Sequence, residues 1–201
     1  DEMIKLTLPD GSIREAEAPL DGLAFAESIA KSLAKKAIAI KIDGEVKDLA
    51  TVIDRDVAVE VITVATPDGL ELLRHDAAHV MAEAVQELFP GTQATIGPAI
   101  ENGFFYDFAR KEPFRPEDLE KIEERMREIV DRNEVITREV WTRDDAVAYF
   151  KSIGEFYKAE IIEGIPSAED VSVYKQGNWL DLCRGPHLPS TGKLGKSFKL
   201  T

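Results

Sequence analysis

The chain reads as an α+β protein in two parts: a small β-grasp domain over residues 1–64 and a larger α+β domain over residues 65–201. Three observations predict this. The 201 residues, 44% of them hydrophobic, suit one large or two modest cores. Residues 3–64 alternate short β-type runs around one helical pattern, whereas from residue 65 onward long helical stripes mix with short strands. The single cysteine and three histidines all fall in the second part, in two pairs spaced four residues apart.

In the first part, Ile4 to Leu8, the Pro9-Asp10-Gly11 turn and Ile13 to Ala16 predict a hairpin. Asp21 is placed to cap a helix whose apolar positions are Leu23, Ala26, Ile29, Ala30 and Leu33. Alternating runs at Ala37 to Ile42 and Val57 to Val61, with Asp43-Gly44 as a turn, supply further strands. A hairpin, one helix and more strands make a β-grasp sheet wrapped on its helix.

Thr66 caps the next helix with Pro67 at its first position, and Phe89-Pro90-Gly91 ends it. Leu73, Ala77, Val80, Met81, Ala84 and Leu88 form one stripe of this helix; His75, His79, Ala82 and Gln86 lie roughly opposite. Ile96-Gly97-Pro98 and Asn102-Gly103 mark turns, and Phe104 to Asp107 reads as an aromatic strand. Pro116 opens a helix with apolar Leu119, Ile122, Met126, Ile129 and Val130 and a charged, solvated face. A strand over Val135 to Trp141, a helix from Thr142, and strands at Phe156 to Ile162, Val171 to Tyr174 and Ser197 to Leu200 complete the pattern. Ending inside an expected strand, the chain reads as a piece of something longer.

The formal charge of −13 argues against a general nucleic-acid binder, which depends on clustered lysine and arginine. Residues 172–201 depart from this balance, with Lys175, Arg184, Lys193, Lys196 and Lys199 against Asp181 alone. Either an anionic substrate is held locally there or these are ordinary solvated lysines at a chain end, and charge alone leaves the two readings level. No apolar run approaches the roughly 20 residues of a membrane span, no secretory segment opens the chain, and one cysteine supports no disulfide framework. A cytoplasmic protein is expected.

His75 and His79 share one helix face by their spacing. Cys183 and His187 share that spacing, but Gly185-Pro186 between them argues against a regular helix and places the pair on a turn. Brought together, the four residues and Asp181 permit three chemistries. His75, His79, Cys183 and His187 are a donor set suited to zinc, outside the H-E-x-x-H pattern. Cys183 beside a histidine makes a thiol nucleophile. Imidazoles with a lysine or carboxylate position a water for attack on an ester. The residue types alone leave these level.

The order of His75-Asp-Ala-Ala-His79, Asn102-Gly-Phe-Phe-Tyr106-Asp107, Tyr157-Lys158 and Asp181-Leu-Cys183-Arg-Gly-Pro-His187 resembles the bacterial-type threonyl-tRNA synthetase family. Leu8-Pro-Asp-Gly-Ser12 in the first part is similar to that family's TGS domain. The resemblance covers essentially the whole chain, as the amino-terminal TGS domain followed by the editing domain, of the threonyl/alanyl second-additional-domain type. It implies hydrolysis of the ester of mischarged Ser-tRNA(Thr) with Thr-tRNA(Thr) spared, because a missing methyl supports discrimination of only roughly 1–3 kcal/mol in the synthetic site. It implies His75 and Lys158 as catalytic residues acting on water, and His79, Tyr106, Asp181, Cys183 and His187 as substrate-binding residues. No cofactor is then required for editing and zinc is the disfavoured option. ATP and magnesium serve only an aminoacylation domain outside this chain, through which the full-length protein is expected to dimerise. The alternatives are a zinc-dependent alanyl-type hydrolase and a non-catalytic RNA- or protein-binding module. Phe105 stands where related sequences often have a second tyrosine, which puts any role for that neighbour of Tyr106 in doubt.

Overall fold

A computed structural model describes residues 2–96, 99–100, 102–166 and 168–201, and the expected turn at Gly97-Pro98 lies outside them. The chain divides into two units, one of Asp1–Leu73 with Gly185–Pro189, the other of Arg74–Arg184 with Ser190–Thr201. Both helix and strand occur in each, so the protein is α+β.

The first unit contains β1 (Glu2–Thr7), β2 (Ile13–Ala18), β3 (Leu20–Asp21), α1 (Gly22–Ile29), α2 (Lys31–Lys36), β4 (Ala39–Ile42), β5 (Glu45–Asp48), β6 (Val52–Ile53) and β7 (Val57–Ile62). The main sheet has the order β2-β1-β7-β4-β5, with β1 and β7 parallel at its centre. This is the β-grasp arrangement: two hairpins joined through their first and last strands, with the helix packed on one face. Hydrophobic alternation sets the register, since Ile4 and Leu6 of β1 and Val57 and Val59 of β7 all point into a core shared with Phe25, Ala26 and Ile40. Asp43 and Gly44 both take positive φ, 48° and 86°, as the two-residue turn between β4 and β5 requires.

The Asp21 carboxylate accepts from the Ala24 amide at 2.8 Å and caps α1 as expected. The helix nevertheless stops at Ile29, so the single helix expected through Leu33 is two. The Ser28 carbonyl, which a continuing helix would use, instead accepts from the Arg14 guanidinium of β2 at 2.8 Å. Leu23 is 40% exposed, and Phe25 takes the core position. The close approach of α1 to the sheet needs Gly22: a Cβ there would lie 2.5 Å from the Leu49 carbonyl and 2.7 Å from the Ile40 side chain. Gly22→Ala is therefore expected to lower the stability of this unit by about 1–3 kcal/mol, the usual cost of overpacking, measurable by urea denaturation.

Helix α3 (Pro67–Leu88) opens under Thr66, whose hydroxyl accepts from the Gly69 amide at 3.1 Å. In the second unit follow β8 (Gln93–Ile96), β9 (Ala99–Ile100), β10 (Gly103–Phe104), β11 (Asp107–Ala109), α4 (Pro116–Arg132), β12 (Ile136–Thr142), α5 (Arg143–Ser152), α6 (Phe156–Glu163), β13 (Asp170–Gln176), β14 (Trp179–Leu182) and a 3-10 turn (Thr191–Leu194). Val80, Ala84 and Val85 of α3 pack on Ile122, Met126 and Ile129 of α4. Phe150 of α5 and Ala159 and Ile162 of α6 pack on Val171, Val173 and Leu180 of the antiparallel β12-β13-β14 sheet.

Three expected strands are corrected. Phe156–Glu163 is a helix: Lys158, Ala159 and Ile162 are its buried face, while exposed Phe156, Tyr157 and Ile161 imitate the apolar content of a strand. The aromatic run is not one strand but two short pieces, β10 and β11, with Phe105 and Tyr106 between them. Ser197 to Leu200 is irregular; Phe198 and Leu200 pack on the α3–α4 core, and the Leu200 amide donates to Glu123 of α4. Their spacing of two reflects that packing and not a ladder.

Candidate active site

Three elements of the second unit meet around one carboxylate. Two-residue alternation puts Trp179 and Asp181 of β14 on one face, while Leu180 joins the core behind. The tight hairpin with Gln176 opposite Trp179 and Tyr174 opposite Asp181 fixes that register. Asp181 is 1% exposed. One of its oxygens accepts from the Lys158 ammonium and from the Leu182 amide. The other faces His79 Nδ1 at 2.8 Å and the Tyr106 hydroxyl at 3.1 Å.

Burial alone would raise the Asp181 carboxyl, but the Lys158 charge and the His79 hydrogen bond outweigh it and hold Asp181 below the ordinary carboxylate range. Burial first, then the Asp181 charge, pushes the Tyr106 phenol well above its usual value, so it remains a donor. His79 Nδ1 donates to Asp181, which fixes the orientation of the ring and leaves Nε2 on its far side. Lys158, 3% exposed, lies 5.8 Å from the Tyr106 ring centroid and 5.6 Å from that of Trp179. Helix α6 delivers it from a fixed start, where Gln93 Oε1 accepts from the Phe156 amide at 3.0 Å.

One helical turn before His79, His75 approaches Cys183 with Nε2 3.3 Å from the sulfur, and the His75 and His79 rings are 4.6 Å apart. Segments 108 positions apart are thus adjacent. Of the seven residues expected from the sequence, His75, His79, Tyr106, Lys158, Asp181 and Cys183 all belong to this unit. His187 falls in the Gly185–Pro189 segment of the other, where its backbone amide donates to Asp48 at 2.7 Å. The expected basic stretch is partly neutralised, with Lys175 on Glu139 and Lys196 on Asp131.

Sequence reasoning missed Glu155 and undervalued Gln86 and Trp179. Trp179 Nε1 donates to Gln86 Oε1 at 2.6 Å, and Gln86 Nε2 donates to the Thr92 carbonyl at 3.0 Å and to Glu155. A signal for Gln86 was present: it stands two helical turns after His79 on the same face.

The arrangement can do two things chemically. A neutral imidazole beside a buried ammonium can take a proton from water and stabilise an oxyanion. His75, His79 and Cys183 also offer ligand atoms within 4.8 Å of one another, and a carboxylate behind His79 is the support that metal-binding histidines use.

Two stretches of the chain match described domain families. Residues 4–63 match the TGS domain, and residues 171–201 match the family described as the threonyl and alanyl tRNA synthetase second additional domain. More particularly, the chain is homologous over nearly all its length to threonine–tRNA ligases. It is 81% identical over 199 residues to that of Parvibaculum lavamentivorans, covering 99% of this chain and 30% of the relative. To that of Rhodospirillum rubrum it is 67% identical over 198 residues, with 98% and 31% covered, and to that of Paramagnetospirillum magneticum 64% over 199 residues, again 98% and 31%. The chain therefore spans about 30% of the length of the curated relatives it matches.

Proposed function

We propose that this chain is the amino-terminal editing region of a threonine–tRNA ligase, with a TGS domain over residues 1–64 and an aminoacyl-tRNA deacylase domain over 65–201, and that it hydrolyses the seryl ester of Ser-tRNA(Thr). The observation that carries the reading is the buried Asp181 holding Lys158, His79 and Tyr106 at once. Ion-paired in this way, the ammonium is preorganised to stabilise charge developing on an ester.

In the proposed reaction a water attacks the seryl carbonyl carbon. His75 takes the water's proton and Lys158 stabilises the tetrahedral oxyanion. As the bond to the ribose oxygen breaks, the imidazolium returns the proton to that oxygen, releasing serine and tRNA. His79, Tyr106 and Asp181 orient the seryl group and terminal adenosine, with Cys183 and His187 as further substrate-binding residues; Cys183 is not the nucleophile. ATP-dependent ligation, and dimerisation through that domain, are assigned to the part of the relatives this chain does not span. Among the described residues no helix is long and apolar enough to cross a membrane; the cytoplasmic location follows from the proposed action on tRNA(Thr).

Zinc is the second reading, favoured by the proximity of His75, His79 and Cys183. If it bound, these residues with His187 would hold it, and it would supply an activated water. The test is single-turnover hydrolysis of Ser-tRNA(Thr) with and without chelator, alongside metal analysis. Chelator-insensitive hydrolysis that falls roughly 100-fold or more in His75→Ala is expected for a general base. Metal-dependent hydrolysis would transfer the site to zinc, and hydrolysis unchanged in a folded His75→Ala would remove His75 from the chemistry.

A further inference from the structure

Two side chains just outside the Asp181 cluster, Trp179 and Glu155, converge on Gln86, and each of the three stands a whole number of structural periods from a member of that cluster. His79 and Gln86 are seven residues apart on α3, two turns along one face. Trp179 and Asp181 are two apart on β14, hence on one side of the strand. Glu155 precedes Lys158 by three, one turn at the start of α6. Gln86 accepts from the Trp179 indole and donates to Glu155 and to the Thr92 carbonyl. Its amide orientation has one solution, because an indole N–H only donates and a backbone carbonyl only accepts. Trp179 and Glu155 in turn adjoin the cluster: the Trp179 ring centroid is 6.1 Å from that of His79, and Glu155, 5% exposed, feels the Lys158 charge.

We infer that Gln86 is a positioning residue for the deacylation, a three-way hydrogen-bonded clamp that sets the mutual register of the elements bearing His79, Asp181 and Lys158. It touches none of the reacting atoms. A clamp joined to all three elements transmits a displacement of any one element to His79, Asp181 and Lys158 together, and misplacement of such groups by a small distance is costly to rate. The inference rests on the deacylase reading for its kinetic consequence and on geometry for its structural one.

In the full chain, Gln86→Leu is expected to lower the single-turnover rate roughly 10- to 100-fold, the usual effect of removing a supporting partner, with substrate affinity within about twofold. Gln86→Glu alone sets two carboxylates against each other. The exchange Gln86→Glu with Glu155→Gln restores a donor–acceptor pair and keeps the acceptor for Trp179, so it should recover part of the rate, whereas a filler of space would not respond. The independent readout is the His79 Nδ1–H resonance in proton–nitrogen spectra, expected downfield in the parent and broadened or lost in Gln86→Leu. Should Gln86→Leu not fold, Trp179→Phe removes the indole donor together with part of the ring, and is read by the same His79 resonance and rate. An inactive parent would sink the deacylase reading alone, and the imidazole resonance would still decide the clamp. A folded Gln86→Leu with an unaltered His79 signal, or with the parent's rate in an active parent, would overturn it.

Discussion

Asp181→Ala is expected to destabilise the second unit by about 3–5 kcal/mol, the cost of leaving a buried charge without its partner, and to slow seryl-ester hydrolysis more than any other single change. Lys158 is 3% exposed and ion-paired with Asp181. The same carboxylate also accepts from Tyr106 and holds His79 at 2.8 Å. Its removal strips one cation of its counter-charge and three more groups, Tyr106, His79 and the Leu182 amide, of their acceptor. The double variant Asp181→Leu with Lys158→Met should regain much of the lost stability, since a neutral pair of similar volume replaces a buried ion pair at little cost, yet regain no activity. Urea denaturation of the three proteins separates these effects. The pH dependence has a definite sign. With its folded pKa held below the ordinary 3.8, Asp181 contributes stability that is present above that value and lost as pH falls through the lower folded one.

Glu83 is expected to act in the opposite sense. It is 1% exposed on α3. Burial, and then a hydrogen bond and like charge from Glu134, push its carboxyl up to about 9 from an ordinary 4.5. Glu134 occupies the space beside Gly177, where an added Cβ would lie 1.8 Å from its Oε2. Between those two values the folded chain keeps a proton that the unfolded chain loses, so stability falls as pH rises. The limit is about 1.4 kcal/mol per pH unit for one proton. Glu83→Gln keeps a donor toward Glu134 and removes the titration. Its advantage over the parent should be small near pH 5 and grow toward pH 8, on the order of 1 kcal/mol per unit. Parallel urea midpoints across that range would show that Glu83 is not the titrating group.

How far the fold was legible follows from which signals are local. The β1–β2 hairpin, α3 and α4 announce themselves through turn residues, caps and apolar period, and the Asp181 to Cys183 stretch marks the candidate site. Phe156–Glu163 was misread because its exposed aromatics carry the apolar signal while a buried lysine and alanine carry the contact. The end of α1 falls where Ala30 turns extended and Arg14 reaches the Ser28 carbonyl from 14 positions away, a pairing no local pattern encodes. The same holds for the site: His75 and His79 share a face by spacing alone, but the convergence of Lys158 and Tyr106 on Asp181 is a product of tertiary packing. Gln86 shares the face of His75 and His79 by spacing, but its role, like that of Glu155, becomes visible only when partners 69 to 93 positions away are seen.

The most direct measurement is the ratio of single-turnover hydrolysis rates of Ser-tRNA(Thr) and Thr-tRNA(Thr) by this chain, without ATP. A seryl rate well above buffer and some 10- to 200-fold above the threonyl rate, the range one methyl group supports in a shaped site, is the predicted result. Equal rates, or none above buffer, would contradict it.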